Sequence, residues 1–342
     1  MTSVKEFRVA EGATSARLGR GAFVFTDDYS VFDWGKMPDE IPQKGRSLCA
    51  MGAANFEALE AEGISTHYRG VVPDDGDEPI PLAEAEEPPR EMAIELTQVP
   101  DLPHEGRAYD YDAFHADAGS NYLVPLEIVF RNTVPVGSSL RSRGEPSEYG
   151  LDMESWPDES VDLPEAVIEF STKYEESDRY LTREEADEIA GEADIDALET
   201  VARDVNDLVT GKAARAGLVH EDGKIECCYF NGEILVADVV GTFDENRFSY
   251  DGQQLSKEVI RQYHKREQQA WVEAVSEAKV RAKKQDVADW RELCEHDPES
   301  LPETVLETAS EMYRSGANAY LGRDLFDAPP LSEAVEAVRD LR

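Results

Sequence analysis

Two strand-forming runs, Leu218–Tyr229 and Glu233–Val240, meet around Phe230-Asn231-Gly232. An Asn-Gly pair between such runs is a strong hairpin signal, so the middle of the chain is committed to antiparallel sheet. The turn decides where the charged residues of the hairpin point. With a two-residue Asn-Gly turn, Asp238 falls on the opposite face from Glu226. With a three-residue loop closing on Gly232 in the left-handed conformation, Tyr229 pairs with Glu233. Lys224, Glu226 and Asp238 then share one face, because side chains alternate with period two. In that arrangement the carboxylates could hold Mg²⁺ and the ammonium could meet a polyphosphate. Ordinary cross-strand charge pairing is the plainer alternative.

The second informative stretch is Phe25–Gly45, which follows a short apolar strand at Phe23-Val24-Phe25. It carries Asp27, Asp28, Asp33, Lys36, Asp39 and Lys44, with Pro38 and Pro42 to stiffen it. Polar groups on a rigid loop beside a strand end are a common way to build a site, although a solvated acidic loop would look similar. A helix is expected over Arg46–Glu62, with Leu48, Gly52, Phe56 and Leu59 on one face and Gly63 as its stop.

The composition qualifies both readings. The chain has 73 acidic against 34 basic residues and a net charge of −39. Only 11 of the basic residues are lysine, and the acid is spread along the whole length. Self-repulsion on this scale weakens a compact fold in dilute buffer, whereas concentrated salt screens it to within a few ångströms. The pattern points to a high-salt cytoplasm, and it argues against nucleic acid as a partner because no basic face is evident. No apolar run is long enough to span a bilayer and no leader pattern opens the chain, so a cytoplasmic location is expected. Cys49, Cys227, Cys228 and Cys294 lack metal-ligand spacing and read as reduced thiols.

Four regions are expected: 1–72, an antiparallel sheet plus helix; 73–121, an acidic connection with a strand; 122–285, a larger α+β domain; and 286–342, a helical extension. Residues 73–90 are rich in proline and acid, and read as a linker or mobile loop. Strands are expected at Met92–Leu96 and Tyr122–Phe130. Thr182-Arg183-Glu184-Glu185 is a capping box, and a long helix should run from Ile195 to Ala216. Arg131-Asn132, followed by Gly137-Ser138-Ser139 and Arg141, resembles an oxyanion cradle of guanidinium, amides and hydroxyls. Lys173 with Asp178 offers another cation beside a carboxylate. The standard phosphate-loop, dinucleotide, zinc-protease and nucleophile-elbow motifs do not occur. His67 and His220 read as packing residues.

Five segments in order carry a family resemblance: DDYSVFDWGKMPDEIPQKG (27–45), VPLEIVFRN through GSS (124–139), STKYEESD (171–178), GLVHEDGKIE (217–226) and GEILVADVVGTFDENR (232–247). Together they resemble the SAICAR synthetases, phosphoribosylaminoimidazole-succinocarboxamide synthases, in a form like the archaeal branch. The resemblance spans about Phe7–Lys265. It implies an α+β fold in which a small antiparallel sheet domain and a larger ATP-binding domain enclose the site in a cleft. It also implies a reaction: ATP phosphorylates the carboxylate of carboxyaminoimidazole ribonucleotide, and L-aspartate displaces phosphate to form the amide, with Mg²⁺ required.

Position by position, the resemblance makes Glu226 and Asp238 the metal carboxylates. Lys224 and Asp33 become the candidate catalytic residues. Arg131, Ser138, Lys173, Asp178, Arg247 and Lys44 are assigned to substrate, while Arg17, Arg20, Lys224 and Glu226 are assigned to ATP. Two departures stand out. The family's Gly-Lys-x-Lys loop is replaced here by Glu11-Gly12, Arg17 and Gly19-Arg20-Gly21, without lysine. The Asp238-to-Arg247 spacing is one residue longer than usual. The rival readings are a small-molecule kinase on a related scaffold and a non-catalytic binding module. A homo-oligomer is compatible with the chain.

Overall fold

The computed structural model describes residues 5–176, 178–285, 287 and 289–341. Residues 1–4 of the expected first region, Ser177 of the expected main domain, and residues 286, 288 and 342 of the expected extension lie outside the described residues. The fold is α+β, built on two antiparallel sheets. The first has the order β1-β2-β4-β3, from β1 (Lys5–Glu11), β2 (Gly19–Phe25), β3 (Tyr68–Val72) and β4 (Glu91–Leu96). Helix α1 (Lys44–Ala61) packs on it through Leu48, Phe56 and Leu59, all buried. β4 lies between β2 and β3, so the first sheet takes in the strand that the expected boundary at residue 72 had set in the connection.

Residues 73–90 are fastened down, which corrects their reading as a linker or mobile loop. Leu82 and Ala85 are buried, Ile80 pairs with Val71, and Arg323 donates to the carbonyls of Leu82 and Ala85. Two buried apolar side chains, one backbone pairing and arginine contacts together anchor an acidic stretch. A small hairpin, β5 (His104–Glu105) and β6 (Ala108–Tyr109), and helix α2 (Tyr111–Ala118) lead into the second sheet.

That sheet runs β13-β12-β10-β8-β9, with β7 and β11 also paired to β10. Its strands are β7 (Asn121–Leu123), β8 (Leu126–Val134), β9 (Val161–Thr172), β10 (Val219–Phe230), β11 (Glu233–Ala237), β12 (Asn246–Tyr250) and β13 (Gln253–Gln254). Pro125, with no N–H to give, separates β7 from β8 within the strand expected over Tyr122–Phe130. Between β9 and β10 lie α3 (Arg183–Ala190), which opens with the Thr182–Glu185 capping box, and α4 (Ile195–Arg215). Leu198, Ala202, Val205 and Val209 give α4 its buried face.

Helices α5 (Glu258–Glu267), α6 (Gln269–Gln285), α7 (Glu303–Leu321) and α8 (Leu331–Asp340) complete the described chain. α7 packs against α1, and Met312, Tyr313 and Ala317 belong to the same buried cluster as Leu48 and Phe56. The last helices are thus part of the core that supports both sheets. No helix among the described residues is long and apolar enough to cross a membrane.

Candidate active site

The hairpin closes with the two-residue turn. Phe230 pairs with Glu233 and Glu226 with Ala237, and both Asn231 (φ 50°) and Gly232 (φ 93°) are left-handed. On that register Asp238 would continue on the face away from Glu226. It does not, because the ladder stops at Ala237 and Asp238 itself adopts φ 62°. His67 Nε2 lies 3.2 Å from the Asp238 carbonyl at this turn. The left-handed residue swings the carboxylate back, so Glu226 and Asp238 lie close enough for the charge of one to raise the proton affinity of the other. The two carboxylates lie within electrostatic reach of each other, as the three-residue loop would have allowed, by a different backbone route.

Asp222, Lys224 and Glu226 share one face of β10 by alternation. Lys224 Nζ is 2.6 Å from Glu127 Oε1, 3.6 Å from Glu245 and 3.8 Å from Glu226. Burial opposes its charge, but these three carboxylates hold its pKa above the ordinary lysine value. Lys173 pairs with Glu226. Burial and the neighbouring Asp238 charge nevertheless raise the Glu226 carboxyl. Asp238 is also desolvated, but the ammonium of Lys5, with Lys173 and Lys224 behind it, outweighs burial and lowers its carboxyl.

Lys5 is a residue that sequence reasoning missed. It stands at the start of β1, pairs with Asp238 and lies 4.4 Å from the Phe23 ring centroid. Its place as the first residue of the unremarkable strand Lys5–Glu11 gave no signal. By contrast, Arg17 and Arg20 are exposed at the β1–β2 hairpin, where both lower the Glu11 carboxyl through hydrogen bonding and charge from Arg17 and charge from Arg20. The structure does not join them to the carboxylate pair.

A second group lies in one row across three strands. Arg131 on β8 and Arg247 on β12 are each directly opposite Asp222 on β10, after an irregularity between His220 and Asp222 resets the β10–β12 register. Arg247 Nε donates to Asp222 Oδ1 at 2.7 Å, and Arg131 Nη1 reaches Oδ2 at 3.4 Å. Asp222, another missed residue, therefore sets two guanidinium groups side by side. The next position must be glycine: a Cβ on Gly223 would fall 2.0 Å from Asn246 Oδ1 and 2.6 Å from the Phe130 ring. Arg131 also donates to Glu169 Oε2 at 2.7 Å and to the Tyr180 hydroxyl at 2.8 Å.

Ser138 caps its own turn, accepting from Leu140 N at 3.3 Å. Its neighbour Ser139 accepts from Arg143, which pairs with Glu169 and lies 3.7 Å from the Tyr180 ring centroid. Arg141 is spent on the carbonyls of Val134, Pro157 and Glu159, so it supports the loop and does not join an oxyanion cradle.

Asp178 has its carboxyl raised by burial and by the charge of Glu127, with Lys224, Asp33 and Lys173 also acting on it. Asp33 projects from a turn in which it and Phe32 are both left-handed, and 85% of its side chain is exposed. Lys44 departs from expectation. Its side chain is wholly enclosed, with Nζ 2.6 Å from Asp244 Oδ2, so in this structure it cannot touch a substrate. The Tyr313 hydroxyl donates to the other oxygen of Asp244 at 2.8 Å. Lys44 therefore braces the loop whose next residue, Glu245, faces Lys224.

The four cysteines are free thiols, and the described residues contain no group of three or more His, Cys, Asp or Glu arranged to hold a metal ion. Glu226 and Asp238 are two carboxylates, which suits a cation that takes one or two protein carboxylates and completes its shell with phosphate and water. Both carry lysine ammonium groups, so the site already selects positive charge.

The family profile described as SAICAR synthetase matches residues 14–278. A protein of Archaeoglobus fulgidus, provisionally named phosphoribosylaminoimidazole-succinocarboxamide synthase, is 39% identical over all of this chain and 99% of its own length. The enzyme so named from Thermoplasma acidophilum is 29% identical over 86% of this chain and 90% of its own. Among solved structures, a SAICAR synthetase (type 2) in complex with ADP superposes with a TM-score of 0.55 at 22% identity, covering 88% of this chain and 99% of that one. The Saccharomyces cerevisiae SAICAR synthase complexed with SAICAR gives 0.61 at 18% identity, covering 94% and 93%. The fold is shared with these structures, and on the match over 14–278 and the full-length relative the chain belongs to the SAICAR synthetase family.

Proposed function

We propose that this chain joins L-aspartate to carboxyaminoimidazole ribonucleotide, with ATP converted to ADP and phosphate by way of an acyl phosphate. The observation that carries the reading is the placement of two charged groups on neighbouring strands in a member of this family. The Arg131–Asp222–Arg247 row suits a dianionic phosphate, because two fixed guanidinium groups face it together. The carboxylate pair and its lysines suit a metal–polyphosphate complex.

In this reading Glu226 and Asp238 would hold Mg²⁺, which neutralises charge on the transferring phosphoryl group when bound. Lys224 stays charged and supplies a fixed cation beside that group. Lys5 and Lys173, which meet the carboxylates here, are the ammonium groups placed to turn toward phosphate oxygens. Lys5 thus provides, from the start of β1, a lysine that the β1–β2 turn lacks. Asp178, within electrostatic reach of Lys224, Lys173 and Asp33, supports a place for negative charge near the incoming amine. The family match gives no reason to prefer a small-molecule kinase.

The test is phosphate release in molar KCl with ATP, Mg²⁺, the ribonucleotide and L-aspartate, omitting each in turn. Release that needs all four is expected. Release that continues at the same rate without aspartate would replace the ligase with a phosphotransferase.

A further inference from the structure

The Asp33 turn is gripped from outside by residues that follow the family-matched region. Lys279 on α6 lies one residue past the match at 278, and its Nζ is 2.6 Å from Asp33 Oδ2. Arg291 donates to the Trp34 carbonyl at 2.7 Å and to the Asp33 carbonyl at 3.2 Å. Both cations lie against one ring: Lys279 Nζ is 5.1 Å and Arg291 Cζ 5.3 Å from the Trp290 centroid. Trp34 meets Trp290 and Trp271 edge-on at 5.8 and 5.6 Å, and Phe32 meets Trp271 at 5.5 Å. Two consecutive left-handed residues, Phe32 and Asp33, are strained positions for L side chains, and this aromatic bracket holds them.

What the bracket presents is an exposed carboxylate beside a partly exposed ammonium. The side chains of Asp33 and Lys279 are 85% and 35% exposed. An α-amino acid carries the complementary pair, an ammonium and a carboxylate one carbon apart. Lys279 is paired like Lys5, Lys44, Lys173, Lys224, Arg131 and Arg247, but its partner differs from theirs: the carboxylates that meet those cations have side chains 19% exposed or less, against 85% for Asp33. Lys279 also opens the run Lys279, Arg281, Lys283, Lys284, so three of the chain's 11 lysines fall within six residues of an otherwise acidic sequence. Asp178 lies within electrostatic reach of both Asp33 and Lys224.

We propose that Lys279 is the carboxylate anchor for the dicarboxylic amino-acid substrate and Asp33 the receptor for its ammonium, forming a substrate subsite contributed by α6. The proposal rests on the ligase reading. Its test is steady-state kinetics of wild type, Lys279→Gln and Lys279→Arg in molar KCl, with each substrate varied in turn. Loss of one charge-assisted hydrogen bond should raise the KM for L-aspartate about ten- to a hundredfold in Lys279→Gln. The KM for ATP and for the ribonucleotide should stay within about twofold, as for a contact made to one substrate only. Lys279→Arg should regain most of the loss.

A measurement without turnover runs beside it. Succinate, with both carboxylates but no amine, should raise the Tm of wild type and not that of Lys279→Gln. An unchanged KM for aspartate overturns the proposal, as does a parallel rise in all three KM values with a lowered Tm, which would make Lys279 a strut. If wild type itself shows no aspartate-dependent phosphate release, the ligase reading falls and this subsite falls with it.

Discussion

Replacing Lys44 by methionine separates a structural role from a substrate contact. None of the Lys44 side chain is exposed and only 6% of the Asp244 side chain, and their charged atoms are 2.6 Å apart. Tyr313 occupies the second oxygen of Asp244, and its ring centroid lies 5.7 Å from the ammonium. Methionine nearly preserves the volume, so the chief effect is to leave Asp244 charged and buried with one neutral donor. Removing one partner of a buried pair costs about 3–5 kcal/mol. With an m-value of about 3 kcal/mol/M, that lowers the urea midpoint by about 1 M or more.

Lys44→Met/Asp244→Asn should recover part of the loss, because no charge is then stranded. The pH dependence has a definite sign. Burial tends to raise the Asp244 carboxyl, but Lys44 and its neighbours outweigh it and hold it below the ordinary 3.8. A depressed folded value contributes stability that is complete above about pH 4 and is lost as pH falls through that folded value. Lys44→Met should lose this acid sensitivity. Urea unfolding in molar KCl at several pH values measures all three effects. An unchanged midpoint in Lys44→Met, together with weakened ribonucleotide binding, would refute the interior role and return Lys44 to the substrate.

Further outcomes follow from the same geometry. Asp238→Asn should cut turnover about a hundredfold or more with the fold retained by circular dichroism, since it removes one of two proposed metal carboxylates; near-normal turnover would sink that assignment. Lys5→Met should weaken ADP–Mg²⁺ binding about tenfold in calorimetry, and unchanged affinity would show that Lys5 serves only to neutralise Asp238. Burial lowers His67 and His220 to about 4 from 6.5, so the unfolded chain takes up protons first and stability should fall as pH drops from about 6.5 toward 4. Equal urea midpoints at pH 7 and pH 5 would contradict this. Lowering KCl from molar to dilute should unfold the chain as the screening length grows from about 3 Å, and a constant circular dichroism spectrum would reject the proposed high-salt adaptation.

What the sequence made legible was local. Thr182 and Glu185 form their capping box, α4 occupies nearly its expected span, and Asn231-Gly232 makes its turn. The co-facing of Lys224 and Glu226 followed from alternation alone. Asp238 illustrates the limit, since a single left-handed residue after the last ladder pair redirects its carboxylate. Aspartate accepts that conformation without announcing it. Asp222 was hidden because its meaning depends on two partners 91 and 25 residues away in the chain. Lys44 and Lys5 were misjudged or missed because burial and reach are set by tertiary packing, which periodicity does not encode. The anchored 73–90 segment shows that a polar, proline-rich composition describes most of a loop and misses the few contacts that pin it.

The Tyr313–Asp244–Lys44 contact also bears on the order of events during synthesis. α1 leaves the ribosome early, carrying an ammonium group whose interior position is complete only after α7 has been made. Until then Asp244 lacks its Tyr313 partner, and the loop that sets Glu245 near Lys224 is not fully braced, although Glu127 and Glu226 already face that lysine. A nascent chain can therefore form both sheets while the Asp244–Glu245 loop still waits for α7, so the last brace of the cleft is set late in the chain.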